Sequence, residues 1–217
     1  MARRSRRHEN TATTYGICSL ALSYPDEELL GAREQLGEAL AGLPRSAAVA
    51  ALERFFAWWE ATEPVAIAQH YVETIDLNKR SGLYLTFYSD GDKRERGSAL
   101  VRLKRLYRAA GLPLEGTTEL PDYLPVMLEF AAAAPRGQGE IVLREHRAAL
   151  ELVRLSLRDL ASPYADVLDA VCHTLGAASA SERARVGRLA AEGPPQELVG
   201  LEPFAPPEVM PEAEARR

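Results

Sequence analysis

The sequence is poor in the residues that build disulfide frameworks, metal centres and membrane spans. Its 217 residues include only two cysteines, Cys18 and Cys172, whose separation matches no redox or metal-ligand motif. We expect both to be buried as small apolar side chains in a protein of a reducing compartment. No run approaches the roughly 18 to 20 apolar residues that a bilayer-spanning helix needs. These absences argue against a disulfide-rich secreted protein and an integral membrane protein.

The usual sequence signatures of catalysis are also missing. The four histidines lack metal-ligand spacing, and no P-loop or Gly-x-Gly-x-x-Gly pattern occurs. The glycines at 137 and 139 follow a helical stretch, so we interpret them as a turn. Paired carboxylates keep a helical hydrolase open as one alternative. The net charge of −5 argues against a general nucleic-acid binder and suits a basic partner better.

The N-terminus imitates the front of a signal peptide, because residues 1–8 are basic and residues 11–22 are mildly apolar. Two departures count against that interpretation. The apolar stretch contains threonines, and residues 24–28, a tyrosine and a proline followed by three acidic residues, stand where a small-residue cleavage site would lie. We therefore predict a flexible basic arm over residues 1–10 that leads into a first helix.

Helical periodicity runs along most of the remaining chain. Asp26 is placed to cap a helix that runs toward Leu40. Residues 47–61 carry four large apolar side chains at spacings of three and four, which predicts a helix with one broad core-facing side. Pro64 opens a helix that ends near Asp76. Further helical stretches cover residues 94–110, 122–134, 138–160, 163–176 and 181–191.

No alternating strand pattern with hairpin turns occurs in the sequence. The sequence therefore predicts an all-α fold, a single-domain helical bundle of about eight to nine helices over residues 11–191. Residues 192–217 are rich in proline and glutamate, which predicts a disordered tail. Within it, residues 201–204 are a docking segment in an alternative interpretation.

Two polar islands, residues 90–97 and 119–125, interrupt the helical sequence. Asp122 precedes a helix with Pro125 in its first turn, so it is either the N-cap of that helix or a recognition group. If the islands converge, their carboxylates flank a groove with an aromatic wall, which matches a basic amphipathic peptide. The predicted peptide-binding residues are Tyr71, Asp76, Tyr84, Asp92, Glu119, Asp122, Tyr123, Glu129 and Phe130.

Six further residues are predicted to support this groove. Arg80 and Arg96 would keep the acidic residues from repelling one another, and Gly91 and Gly97 would let the backbone turn. Pro121 and Pro125 would fix the second island.

Residues 71–130 resemble the assembly chaperones of respiratory nitrate reductase, the NarJ family, within the wider TorD/DmsD-like group of maturation chaperones for redox enzymes. The signature of the wider group is matched by Glu119, Pro121, Asp122, Tyr123, Leu128, Glu129 and Phe130. The nitrate-reductase branch is matched by Tyr71, Asp76, Arg80, Tyr84, Gly91, Asp92, Arg96 and Gly97. Tyr123 stands where many relatives outside this branch have histidine, so a role tied to that histidine is not expected here.

The resemblance implies a cytoplasmic, non-catalytic, all-helical chaperone. Such a chaperone binds the N-terminal segment of the apo nitrate reductase catalytic (alpha) subunit and holds it competent for molybdenum cofactor insertion and complex assembly. The resemblance implies no stably bound cofactor. The charge, the residue spacing and the lack of a long apolar run predict no nucleic-acid binding, no metal site and no membrane insertion. It makes molybdenum cofactor biosynthesis proteins candidate further partners. An acidic helical scaffold without a cofactor-linked role is the main alternative.

Overall fold

The computed structural model describes residues 2–89, 93–114, 116, 118–135 and 137–192, and over these the chain is helical with one isolated β-bridge. A π-helical turn, Val72–Asp76, follows the fifth helix. The α-helices of the described residues are α1 Ala2–Ala21, α2 Glu27–Gly31, α3 Arg33–Ala41, α4 Ala47–Ala61, α5 Pro64–Tyr71, α6 Thr86–Ser89, α7 Lys93–Ala109, α8 Leu124–Ala133, α9 Gln138–Glu145, α10 Arg147–Asp159, α11 Tyr164–Leu175 and α12 Ala180–Glu192.

The all-α class is confirmed, but the described residues form twelve α-helices instead of eight to nine. Two predicted helices are each divided in two, at Ala32, where Gly31 ends α2, and at His146, where no glycine or proline adjoins the break. At His146 the ring Nδ1 lies 3.0 Å from the carbonyl oxygen of Val142, so the side chain competes for a helical acceptor. The short α6 had no periodicity long enough to predict it.

Helix starts that depend on local capping are confirmed. The Asp26 carboxylate accepts a hydrogen bond of 2.8 Å from the Leu29 N–H at the start of α2. The Ser46 hydroxyl does the same for Val49 at the start of α4. Pro64 occupies the first turn of α5, where its missing N–H leaves no hydrogen bond unmade.

The N-terminal residues differ from the expected flexible arm. The structure places residues 2–10 in α1. Alanine and arginine are good helix formers, and adding turns to an existing helix is easier than starting one. Ser5 also donates to Glu9 one turn later, at 3.2 Å. Residues 193–217, with the predicted tail, lie outside the described residues.

The core is one cluster of buried apolar side chains in which α1 packs against α8 and α11, and α4 packs against α11. The predicted apolar side of α4 is confirmed, because Leu52, Phe55, Phe56 and Trp59 are all buried. Cys18 and Cys172 are buried as predicted, and burial raises the pKa of the Cys172 thiol to about 12. None of the described helices has both the length and the apolar character needed to cross a bilayer.

Ala161 ends α10 in a left-handed conformation, with φ of 50°. The N–H of Ala161 donates to the carbonyl of Arg158, and the N–H of Ser162 donates to the carbonyl of Leu157. This is the Schellman pattern, in which the position of Ala161 is usually glycine. Since the left-handed conformation costs an L-residue about 1–2 kcal/mol, and glycine loses about 0.5–1 kcal/mol more backbone entropy on folding, Ala161→Gly should stabilise the fold by roughly 0.5–1 kcal/mol. Urea denaturation measures the change, and a lower free energy of unfolding would contradict it.

Candidate functional site

A single antiparallel β-bridge between Tyr84 and Tyr123 joins two segments that are far apart in sequence. The Leu85 N–H donates to the carbonyl of Asp122 at 3.0 Å, and the Leu124 N–H donates to the carbonyl of Leu83 at 2.8 Å. The bridge therefore places the second polar island directly beside the aromatic segment that precedes α6.

Four tyrosines form a continuous row at this junction, and we call Tyr24, Tyr71, Tyr123 and Tyr84 the tyrosine row. The rings of Tyr84 and Tyr123 are 5.2 Å apart, and the hydroxyl oxygens of Tyr123 and Tyr71 are 3.1 Å apart. The ring of Tyr24 meets Tyr71 edge-on at 5.6 Å. Tyr71 is buried, Tyr84 and Tyr123 are partly exposed, and Tyr24 is exposed, so both ends of the row reach the surface and Tyr71 anchors it in the core.

Carboxylates lie near both partly exposed members of the row. The Tyr84 hydroxyl donates to Glu119 Oε2 at 3.0 Å, and burial with this hydrogen bond raises the pKa of Tyr84 to about 12. Asp76 is close enough for its charge to raise the pKa of Tyr71 and of Tyr123. Partial desolvation raises the pKa of Asp76 itself, and no Lys or Arg of the described residues forms an ion pair with it.

A groove with a volume of about 200 Å³ opens between the π-helical turn and α7. This volume is below the roughly 300–1,000 Å³ of sites for drug-sized ligands, so it suits one or two side chains of a peptide. The groove is lined by Ile75, Asp76, Asn78, Lys79, Gly82, Tyr84, Phe87 and Arg96.

The π-helical turn carries Ile75 and Asp76, which line one side of this groove. The Leu77 N–H bonds to the carbonyl of Val72, five residues earlier, at 2.9 Å. Such turns place one extra residue in a helix and are frequent at functional sites. No feature of the sequence indicated this turn.

Asp122 lies beneath the groove and is fully buried. Its Oδ2 accepts hydrogen bonds from the Thr86 hydroxyl at 2.5 Å and the Thr86 N–H at 3.3 Å, and it lies 3.7 Å from an Arg96 nitrogen. The cap interpretation does not hold, because Tyr123 occupies the N-cap position of α8 and no side chain caps it. Asp122 instead connects the second island to α6 and α7.

Other predicted residues are also internal. Phe130 is buried with its ring 4.3 Å from that of Tyr107, and Tyr107 donates to the carbonyl of Pro121 at 2.8 Å. Pro125 lies in the first turn of α8, as predicted, and its carbonyl accepts from Ser19 at 2.7 Å. Together with Tyr71 and Asp122, these residues form the base of the site.

Some predicted residues lie apart from the groove or cannot be placed. Glu129 is exposed on α8, six residues after Tyr123 and thus roughly 9 Å along the helix axis. Arg80 is exposed and forms no ion pair with a described residue, whereas an Arg96 nitrogen lies 3.7 Å from Asp122 Oδ2. Gly91 and Asp92 lie outside the described residues.

The prediction for Gly97 is wrong, because this residue lies inside α7 and not in a turn. A Cβ atom there would have no heavy atom within 4 Å. Glycine inside a helix is less favourable than alanine by about 0.5–1 kcal/mol. We therefore expect Gly97→Ala to raise the free energy of unfolding by that amount in a urea titration. If Gly97 were in a turn that needs glycine, the same substitution would lower it.

Thr86, Lys79 and Phe87 belong to the site but were not among the predicted site residues. Thr86 is the main partner of Asp122 from 36 residues away, and no sequence pattern reports such a pairing. Lys79 and Phe87 line the groove, and either could be a solvated or core residue by composition alone. Among the described residues, no group of three or more His, Cys, Asp or Glu side chains is arranged to hold a metal ion.

The family model described as "Nitrate reductase delta subunit" matches residues 39–170. The chain belongs to this family. Every residue that lines the groove falls within the matched range, so the nitrate reductase delta subunit family shares this part of the chain. The resemblance to the NarJ chaperones is thereby confirmed.

Named relatives agree with the family. The chain is 36% identical over 156 residues to the "Probable nitrate reductase molybdenum cofactor assembly chaperone NarJ" of Bacillus subtilis, covering 71% of this chain and 84% of that protein. It is 30% identical over 187 residues to NarJ of Escherichia coli K12, covering 84% and 78%. The nitrate reductase-like protein NarX of Mycobacterium tuberculosis is 37% identical over 157 residues, which cover 72% of this chain and only 23% of NarX.

Proposed function

We propose that this protein is a cytoplasmic, non-catalytic chaperone of nitrate reductase assembly. It binds the N-terminal segment of the apo alpha subunit and holds it competent for molybdenum cofactor insertion and complex assembly. Family membership and the names of the NarJ relatives support the chaperone role. The molybdenum cofactor belongs to the client in this proposal, and cofactor biosynthesis proteins are its candidate further partners.

The observation that carries the proposal is the junction of the Tyr84–Tyr123 bridge with Glu119 and Asp76. Aromatic rings take the apolar side of an amphipathic peptide and are frequent energetic anchors of interfaces. The two carboxylates can receive Lys or Arg of the same peptide through charge-assisted hydrogen bonds. A basic amphipathic segment therefore matches this surface.

We divide the predicted residues between contact and support according to their exposure. Contact with the peptide is assigned to Asp76, Tyr84, Glu119 and Tyr123, which are exposed or partly exposed. Glu129 can contact only a peptide that extends along α8. Asp92 lies outside the described residues, and its contact with the peptide stays a prediction. Support from below is assigned to Tyr71, Asp122 and Phe130, which are buried.

Charge-removing substitutions test the proposed contacts. We expect Asp76→Asn and Glu119→Gln each to weaken the affinity for an alpha-subunit N-terminal peptide by up to about fivefold, since exposed ion pairs contribute about 0.2–1 kcal/mol. The effect should shrink in high salt, where exposed charges are screened. Calorimetric titration measures it.

Glu53→Gln is the matched control, because Glu53 is exposed on α4 and does not line the groove. Its affinity should equal that of the unaltered protein. If all three variants bind equally, the carboxylates do not recognise the peptide.

Preference between client states separates a chaperone from a general scaffold. A chaperone that keeps the subunit open for cofactor insertion binds the apoenzyme more tightly than the cofactor-loaded enzyme. Equal capture of both forms by the immobilised protein would favour the scaffold.

A further inference from the structure

A second cavity, with a volume of about 390 Å³, lies between α10, α11 and the loop that follows α11. It shares no lining residue with the groove. Its size falls within the roughly 300–1,000 Å³ range of small-molecule sites, which the groove does not reach. Its lining includes two arginines and two carboxylates but no Phe, Tyr or Trp, whereas the groove is lined in part by Tyr84 and Phe87.

Two arginines on α10 enclose one glutamate at this cavity. Arg147 Nε and Nη2 both donate to Glu151 Oε1 at 3.2 Å, and Arg154 Nε donates to Glu151 Oε2 at 2.8 Å. Arg147 Nη1 also donates to the carbonyl of Gly176 at 2.8 Å. The Arg147 side chain is only 5% exposed, so its position is fixed by the fold.

The network continues through Asp169 to α4. Asp169 accepts from Arg154 at 2.9 Å and from Arg158 at 2.5 Å, and Arg54 of α4 lies 3.9 Å away. Arg54 also pairs with Asp166 at 2.6 Å. The network therefore holds four guanidinium groups and three carboxylates, which leaves one positive charge on a chain whose net charge is −5.

Hydrogen-bonding capacity also remains at the two cavity arginines. A guanidinium has five N–H donors. Arg154 uses two of its donors and Arg147 uses three in the hydrogen bonds among described residues. His173, which is exposed, adds a further polar side chain to the cavity lining.

We propose that this cavity binds the phosphate group of a small molecule. Guanidinium groups match phosphate oxygens with paired hydrogen bonds, and a phosphate monoester carries about −1.5 to −2 charges at pH 7. Such an anion uses the spare donors of Arg147 and Arg154, and the network's one surplus positive charge offsets part of the repulsion from Glu151 and Asp169, which also line the cavity. Two fixed guanidiniums favour phosphate over a carboxylate, which brings less charge and fewer oxygens.

The test is calorimetric titration of the full chain at constant ionic strength with inorganic phosphate, ribose 5-phosphate and adenosine monophosphate. We expect saturable binding. Arg154→Lys keeps the charge but loses the planar donors, and should weaken binding by at least about tenfold, since a hydrogen bond to a charged group contributes roughly 1.5–3 kcal/mol. Arg108→Lys is the matched control, an exposed arginine on α7, and should bind unchanged.

The three probes distinguish the source of the phosphate. Equal affinities indicate recognition of the phosphate group alone, and tighter binding of adenosine monophosphate indicates a nucleotide; either supports the site. If Arg154→Lys does not fold, His173→Ala on the exposed rim should still weaken binding about threefold. No saturable binding to the unaltered protein, or equal binding by the folded cavity variants and the control, would overturn the proposal and leave an ion-pair network that only joins α4, α10 and α11.

Discussion

Replacing Asp122 by alanine is expected to lower the free energy of unfolding by about 3–5 kcal/mol, the range for breaking a buried charged pair. The Asp122 carboxylate is fully buried and holds both the N–H and the hydroxyl of Thr86, which is also fully buried. Alanine leaves both Thr86 donors unpaired and takes the counter-charge from Arg96. Urea denaturation followed by circular dichroism measures the loss.

The asparagine variant separates this account from a capping role. An N-cap loses about 1 kcal/mol with alanine and almost nothing with asparagine. In the buried connection, asparagine keeps one acceptor for Thr86 but loses the charge opposite Arg96, so Asp122→Asn should still cost about 1–2 kcal/mol. Asp76→Asn, at an exposed carboxylate of the same site, is the control and should stay within about 0.5 kcal/mol. An Asp122→Asn protein with the same free energy of unfolding as the unaltered protein would contradict the role assigned to Asp122.

Gly139→Ala is expected to destabilise the protein by roughly 3 kcal/mol, because it forces two helices apart. A Cβ atom on Gly139 of α9 would lie 2.2 Å from the Cα and 2.7 Å from the Cβ of Ala131 on α8. These atoms belong to or adjoin the backbone, so no side-chain rotation relieves the overlap. Thermal and urea denaturation should both show the loss.

Gly97→Ala makes the same chemical change but should raise the free energy of unfolding, whereas Gly139→Ala should lower it. Both glycines lie in helices, but only Gly139 has a neighbour where the methyl group would be. The pair therefore isolates the close approach of α8 and α9 from helix propensity. If both substitutions stabilise the protein, the contact between Gly139 and Ala131 is not as close as described.

Local signals in the sequence were sufficient for helices whose ends carry a cap or a proline. Ser46, Asp26 and Pro64 each act within one turn of the chain, so their effects can be read from neighbouring residues. The break at His146 has no such marker, whereas the break at Ala32 follows Gly31 at the end of α2. Gly139 was interpreted as part of a turn, and only its neighbour on α8 explains why glycine is needed there.

The site was predictable as a set of segments but not as a set of contacts. The sequence pointed to the islands 90–97 and 119–125, and the Tyr84–Tyr123 bridge joins the second of them to the aromatic segment before α6, while residues 90–92 lie outside the described residues. Which of them reach the surface depends on pairings across the fold. Asp122 faces Thr86 and Phe130 faces Tyr107, so both side chains point inward.

The central claim is that this surface captures the N-terminal segment of the nitrate reductase alpha subunit. Its most direct test is calorimetric titration of the protein with a peptide of about 15 residues from that N-terminus, a length of roughly four helical turns, beside a scrambled peptide of equal composition. We predict binding to the native order and none to the scrambled one. Equal heats from the two peptides, or no binding of either, would contradict the claim.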